Sequence, residues 1–303
     1  MKISKVLILA FLLISLLNAC EEYEEYIKDY DYSAVYFASQ KPLRTIVARE
    51  NMTFRFGVVL GGVRENTQEE WVKYRIEPDL LNVVEGANKF KLLPESYYTL
   101  SNSELFKIPA GEFIGDVTLT LNRELFTSDP LATQNTYALP IEIYETSADS
   151  ILKGDASTAA RDYTIIVVKY VSPYHGVYYQ KGIEETLNDD GTVVAEVVYS
   201  EKDLSQNISK EYKTISLNEI STSGLNNGRK GNLELSVNDD YSVDIDVVDN
   251  NSITLLNSSG TYNSENSKFF LDYLFADDGI NYHVTDTLIL RQKPEFDLRY
   301  EEW

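Results

Sequence analysis

Cysteine is all but absent. The 303 residues hold one, Cys20, so no disulfide can close within the chain and no cysteine-built zinc site can form. Histidine is nearly as scarce: His175 and His283 leave little for histidine-centred metal binding or acid–base chemistry. Basic residues are outnumbered, 27 against 48 acidic, for a net charge of −21 at pH 7. A surface that negative repels phosphate backbones and offers anionic lipid nothing to attract, which excludes nucleic acid as a partner and a polybasic membrane contact. No internal repeat of 20–50 residues is apparent. What is plentiful is ordinary globular material, 43% apolar and 25% charged, with tyrosine in excess at 22 against 12 Phe. The length suits two domains of about 150 residues.

The one long apolar run lies at the start. Lys2 and Lys5 precede Val6 to Leu17, in which only Ser15 is polar. Twelve helical residues span about 18 Å, short of a bilayer core of about 30 Å, so residues 1–19 read as a secretory signal peptide and not as a membrane helix. The run ends in Leu17-Asn18-Ala19-Cys20, which resembles the lipobox of bacterial lipoproteins, with Asn18 where that family has a smaller residue. The resemblance implies that Cys20 becomes the new N-terminus and carries acyl chains, each buried CH₂ adding about 0.8 kcal/mol to membrane attachment. Removal of residues 1–19 takes away two lysines and no acid, moving the charge from −21 to −23. Glu21-Glu22-Tyr23-Glu24-Glu25 then opens a tether over residues 20–31. The acidic run has two readings: a solvated spacer, or, by resemblance, the surface-export signal of Bacteroidota lipoproteins, which would place the protein on the outer membrane facing the cell exterior.

Beyond Asp31 the dominant period is two. Met52, Phe54, Phe56 and Val58 alternate with polar or small neighbours, as do Val72, Tyr74 and Ile76, and Val117, Leu119 and Leu121. Such alternation marks half-buried antiparallel strands. Leu139, Ile141 and Ile143 continue the pattern, and Pro140 within it predicts an edge strand. The unbroken run Ile165 to Val168 predicts a central strand, and Pro78 to Glu85, with Gly86 after it, predicts one helix. Ser172-Pro173 breaks the alternation and separates a domain over 32–171 from one over 174–303. In the second domain, turn residues at Asn188-Asp189-Asp190-Gly191, Asn238-Asp239-Asp240 and Asp277-Asp278-Gly279 join alternating runs as hairpins, pairing Phe269–Phe275 with Tyr282–Leu290. Ser200 to Lys230, rich in Asn, Ser and Gly, reads as a long connection. The predicted class is therefore all-β: a sandwich followed by an antiparallel meander, either an open sandwich or a lipocalin-like barrel.

Several segments together carry a wider resemblance: Leu93-Pro94-Glu95-Ser96-Tyr97-Tyr98-Thr99-Leu100, Ile108-Pro109-Ala110-Gly111-Glu112, Gly115 to Leu121, Tyr137-Ala138-Leu139-Pro140-Ile141 and Tyr282 to Leu288. The chain resembles the two-domain surface lipoproteins of Bacteroidota polysaccharide-utilisation loci. Its first half is similar to the Ig-like domain found there and ahead of some endoglycosidase domains, its second half to their C-terminal β domain of unassigned function. The resemblance implies a glycan partner and a place beside an outer-membrane transporter and its lid lipoprotein. It supplies no shared binding residues.

A sugar site needs flat rings against C–H faces and planar polar groups for hydroxyls, and tyrosine offers both. Tyrosine also packs two-sided sheets. Tyr97-Tyr98 and Tyr178-Tyr179 stand out because neighbours in a strand face opposite sides, and Trp71 lies on the polar face of its strand. These five are the expected ligand-binding residues, and Trp303 is read as a cap on the bottom of the second domain. The acidic turns lack EF-hand spacing and read as hairpin chemistry, with no metal or other cofactor expected. No nucleophile elbow occurs, the D-x-x-D-x-D-x-E signature of the related endoglycosidases is missing, and Ser150-Ile151-Leu152-Lys153 has no companion motifs, so no catalytic residue is expected. Asp149-Ser150-Ile151 resembles the O-glycosylation signal of exported proteins in this phylum and is placed in a loop, making Ser150 the acceptor. The expected function is a non-catalytic glycan-binding surface lipoprotein. The alternatives are a structural component of an uptake complex and a barrel carrying an apolar ligand.

Overall fold

The computed structural model describes residues 32–225, 231–248 and 252–303. The leader, Cys20 and the acidic tether lie outside them. Alternation becomes two packed sheets in the first half. One sheet runs in the order β10 (Ser150–Ile151), β1 (Ala34–Tyr36), β3 (Thr53–Gly61), β8 (Ile114–Leu121), β6 (Tyr98–Leu100). The other runs β21 (Glu301–Glu302), β2 (Pro42–Val47), β11 (Tyr163–Val171), β9 (Tyr137–Thr146), β4 (Glu70–Ile76), β7 (Leu105–Ile108), with β5 (Lys91–Leu92) alongside β9. Phe56, Val58, Val72, Tyr74, Phe106, Val117, Leu119, Ile141 and Ile143 meet between the sheets, with the Tyr74 and Phe106 rings stacked 4.5 Å apart.

The apolar run of β11 has a simple cause. Ile166, Val168 and Tyr170 face the inter-sheet core. Ile165 and Val167 face a second, smaller core on the outside of the sheet, roofed by Leu81 of helix α1 (Leu80–Val83), Ala87 and Phe90. Both faces are dry, so no polar alternation survives. The helix is one turn within the predicted stretch, and Gly86 past its end takes φ +81. Pro140 is not on an edge: β9 pairs with β11 on one side and with β4 and β5 on the other. Its carbonyl accepts from the Glu77 N–H, one residue past the end of β4, so the missing donor falls where the β4 ladder has stopped.

The second half closes into a barrel. The ring is β12 (Gly176–Leu187), β14 (Ile208–Thr214), β15 (Glu219–Ser223), β16 (Asn232–Val237), β17 (Ser242–Val248), β18 (Ile253–Asn263), β19 (Lys268–Asp277) and β20 (Ile280–Leu290), and ten residue pairs between β12 and β20 close it. A ninth strand, β13 (Val193–Tyr199), pairs only with the far half of β12 and stands off the ring. The expected hairpins are present, and the β19–β20 turn takes positive φ at Asp278 and Gly279, as a two-residue hairpin loop requires. The expected long connection over Ser200 to Lys230 is corrected: it holds β14 and β15. Their alternation is hard to read because inward-facing Lys210 and Thr222 are polar.

Inward rings pack against one another inside the barrel. Tyr178 meets Tyr212 at 5.4 Å and Phe269 at 5.6 Å, and Phe275 meets Tyr282 at 5.3 Å. The chain then leaves β20, makes helix α2 (Pro294–Asp297), and returns to the sandwich, where β21 joins the edge of β2. Trp303 therefore does not cap the barrel. Its ring packs edge-on against Phe90 at 4.9 Å and its indole N–H donates to the Ile165 carbonyl at 2.7 Å, closing the small outer core of the first domain.

Candidate functional site

The outward face of β4 carries Trp71, Lys73 and Arg75, while Val72 and Tyr74 point into the core. Next to it, β9 turns Glu142, Tyr144 and Glu145 outward. Register slips here: Lys73 pairs with Glu145 and Tyr74 with Ile143, leaving Tyr144 as the extra residue of a bulge. A bulge re-aims its side chain, and Tyr144 is 44% exposed.

The two rings and four charges form one patch. Lys73 Nζ lies 5.3 Å from the Trp71 ring centre and 2.9 Å from Glu145 Oε2. The Arg75 guanidinium lies 5.7 Å from the Tyr144 ring centre and bridges Glu142 at 2.6 Å and Glu77 at 3.0 Å. The hydrogen bond it donates to Glu145 holds the Lys73 ammonium above its usual range. The backbone beneath Trp71 is clamped: its N–H donates to Ser147 Oγ at 2.8 Å, and its carbonyl accepts from Thr146 Oγ1 and the Ser147 N–H, each at 3.0 Å. Side chains on a fixed strand lose little freedom when a ligand arrives. Flat rings beside planar carboxylates and a guanidinium can stack on sugar C–H faces and bond hydroxyls together.

The other expected residues are not at this patch, and three are not platforms. Tyr178 is fully buried and its hydroxyl donates to the Tyr174 carbonyl at 2.7 Å. Tyr97 packs edge-on to Phe126 and Tyr137 and donates to Asp129 at 3.0 Å, and Tyr98 packs on the same core, with burial raising the pKa of both hydroxyls. Tyr179 is half-buried on the outer wall of the barrel, opposite Ile289. Ser150 sits in β10, not in a loop, and its hydroxyl donates to the Ser33 carbonyl at 3.1 Å. Tyr144 was missing from the sequence reading; its parity, opposite to Ile141 and Ile143, was the available signal.

The histidines and turn acids have structural partners. Burial lowers the His175 pKa, and its Nδ1 sits 3.2 Å from the Thr214 N–H. Asp190 accepts from the hydroxyl and N–H of Thr192, and Asp240 does the same with Ser242, which holds both carboxyls below their ordinary range. The deepest carboxylate, Asp286, lies inside the barrel and accepts from Gln180 at 2.6 Å, Tyr199 at 2.5 Å and Tyr273 at 3.3 Å. Gly182 makes room for it, since a Cβ there would lie 2.2 Å from Asp286 Oδ1.

A family model described as a "-like, N-terminal domain" matches residues 30–150. No curated protein matches. Among solved structures, the chain is similar to a Bacteroides ovatus protein of unknown function: 24% identity over 86% of this chain and 95% of that one, with a TM-score of 0.73. Another Bacteroides ovatus protein, provisionally described as carbohydrate-binding, is 16% identical over 71% of this chain and 67% of its own, at a TM-score of 0.33. EndoBT-3987 of Bacteroides thetaiotamicron, solved with a Man5GlcNAc product, is 19% identical over 42% of this chain and 28% of its own, at 0.31. The first of these likenesses is one of fold, and the other two are too distant in shape to carry an argument. The chain thus has the all-β architecture of a Bacteroides protein whose own function is unknown.

Proposed function

We infer that the protein is a non-catalytic lipoprotein, held at the outer surface by Cys20, that grips glycan on the sandwich face formed by Trp71, Lys73, Arg75, Glu142, Tyr144 and Glu145. The observation that carries the reading is the pair of outward rings on a clamped sheet face, each beside a cation that is itself held by a carboxylate. The lipobox and the acidic tether support the location, and the resemblance to polysaccharide-utilisation lipoproteins supports the ligand class. A glycan array probed with the full chain in detergent tests it. Retention of at least one plant or host polysaccharide is expected, and no retention of any glycan overturns it.

A second reading, a docking component of an uptake complex, draws on β13. Val193, Val194, Val197 and Val198 are exposed on a strand whose outer edge has, among the described residues, no neighbouring strand in the sheet. Lysine at Val194 and Val198 would abolish co-purification of an outer-membrane partner under this reading and leave glycan retention unchanged under the first.

A further inference from the structure

The barrel wall parts between β14 and β15. β14 pairs with β12 from Ile208 to Tyr212, yet meets β15 only at Lys213–Ser221 and Thr214–Ile220, after which the two strands diverge. The gap is a cleft of about 460 Å³ with the hydroxyls of Ser209, Ser221 and Ser223 along it. Lys210 faces inward at its base, with Nζ donating to the Gly224 carbonyl at 3.2 Å and to the Leu225 carbonyl. Both partners are neutral. The one carboxylate lining the cleft, Glu211, lies 3.4 Å from Lys213 Nζ. Behind Lys210, on the inward faces of β12 and β14, Gln180 Oε1 and the Tyr212 hydroxyl are buried without a hydrogen-bond partner.

A half-buried ammonium without a contacting carboxylate is costly, and it is most cheaply satisfied by an anion that also engages nearby hydroxyls. In a chain of net charge −21 this is an unusual spot, since among the described residues no carboxylate contacts the Lys210 ammonium. We propose that the cleft between β14 and β15 binds a small oxyanion, a carboxylate or a sulfate ester, with Lys210 as its charged anchor and the three serine hydroxyls as its hydrogen-bond donors. Burial draws the Lys210 pKa down to about 8, with Asp286 inside the barrel opposing that shift. A bound anion would raise it.

The site does not depend on the sandwich face, and its test does not use that face. Calorimetry on the full chain in detergent compares glucuronate, glucose 6-sulfate and glucose. At least one anionic sugar is expected to bind ten or more times more tightly than glucose, and which one binds identifies the anion. Lys210→Met is expected to weaken that binding at least tenfold. Equal affinity for glucose, no binding of either anion, or an unchanged Lys210→Met overturns the proposal. Two readouts stand apart from the folding of that variant. In the native chain with ¹³C-methylated lysines, the resonance titrating near pH 8 is expected to move to higher pH when the site is saturated with the anion. Ser221→Trp, which fills the cleft from outside, is expected to abolish binding. A resonance that does not move, or a Ser221→Trp that binds normally, contradicts the proposal.

Discussion

His283 shows how much a single side chain on the outer barrel wall can report. Its ring lies 2.9 Å from Glu185 and 3.2 Å from Asp272, two carboxylates on the strands either side of β20. The hydrogen bond to Glu185, with Asp272 adding to it, raises the imidazole pKa above 6.5. A raised folded-state pKa gives stability that is fully present below 6.5 and is lost as pH rises through the folded value. The contacts are partly exposed, so the effect is modest, about 0.5–1 kcal/mol. His283→Gln is therefore expected to lower the urea midpoint at pH 5.5 and to leave it nearly unchanged at pH 9; an equal loss at both would contradict the charge argument. The same scale explains which site residues could be read in advance. Trp71 was legible because strand parity put it opposite Val72. Tyr97, Tyr98 and Tyr178 were not, because a tyrosine's position in a pair gives opposite faces but not which face is covered.

Among the elements, the C-terminal segment is the one that local pattern could not place. Two residues of β21 and one tryptophan give no period, and their partners, Pro42, Leu43 and Ile165, are more than 130 residues away. Pro140 misled for a related reason: a rule about ladder donors assumes a neighbour along the whole strand, and here the neighbour ends one residue early. β14 was hidden because its inward face holds Lys210, the residue that gives the seam its chemistry. In contrast, β11, β19 and β20 were readable, since burial on both faces or on alternate faces writes itself directly into composition. Trp303→Ala removes a partly buried ring and leaves the Ile165 carbonyl without its donor, a loss of about 2 kcal/mol. Hydrogen exchange is expected to speed up at Leu43, Ile165 and Val167 and to stay unchanged across β19; uniform acceleration would mean the strap holds the whole chain together and not the sandwich alone.

As a whole molecule, the protein combines a β-sandwich, a β-barrel, a strap that returns from the second to the first, and a strongly acidic composition that disfavours nonspecific adhesion to polyanions. The proposed anchor has a direct chemical consequence: Cys20→Ala is expected to abolish incorporation of labelled palmitate and to move the protein out of the membrane fraction. Persistent membrane association of that variant would contradict lipidation at Cys20. The central claim concerns the sandwich face. Affinity electrophoresis of the full chain in detergent, through gels containing a polysaccharide found on the array, compares the native protein with Trp71→Ala/Tyr144→Ala. Retardation lost or reduced at least tenfold in the variant, with its unfolding midpoint kept, is the predicted result; equal retardation of the two proteins would contradict the account.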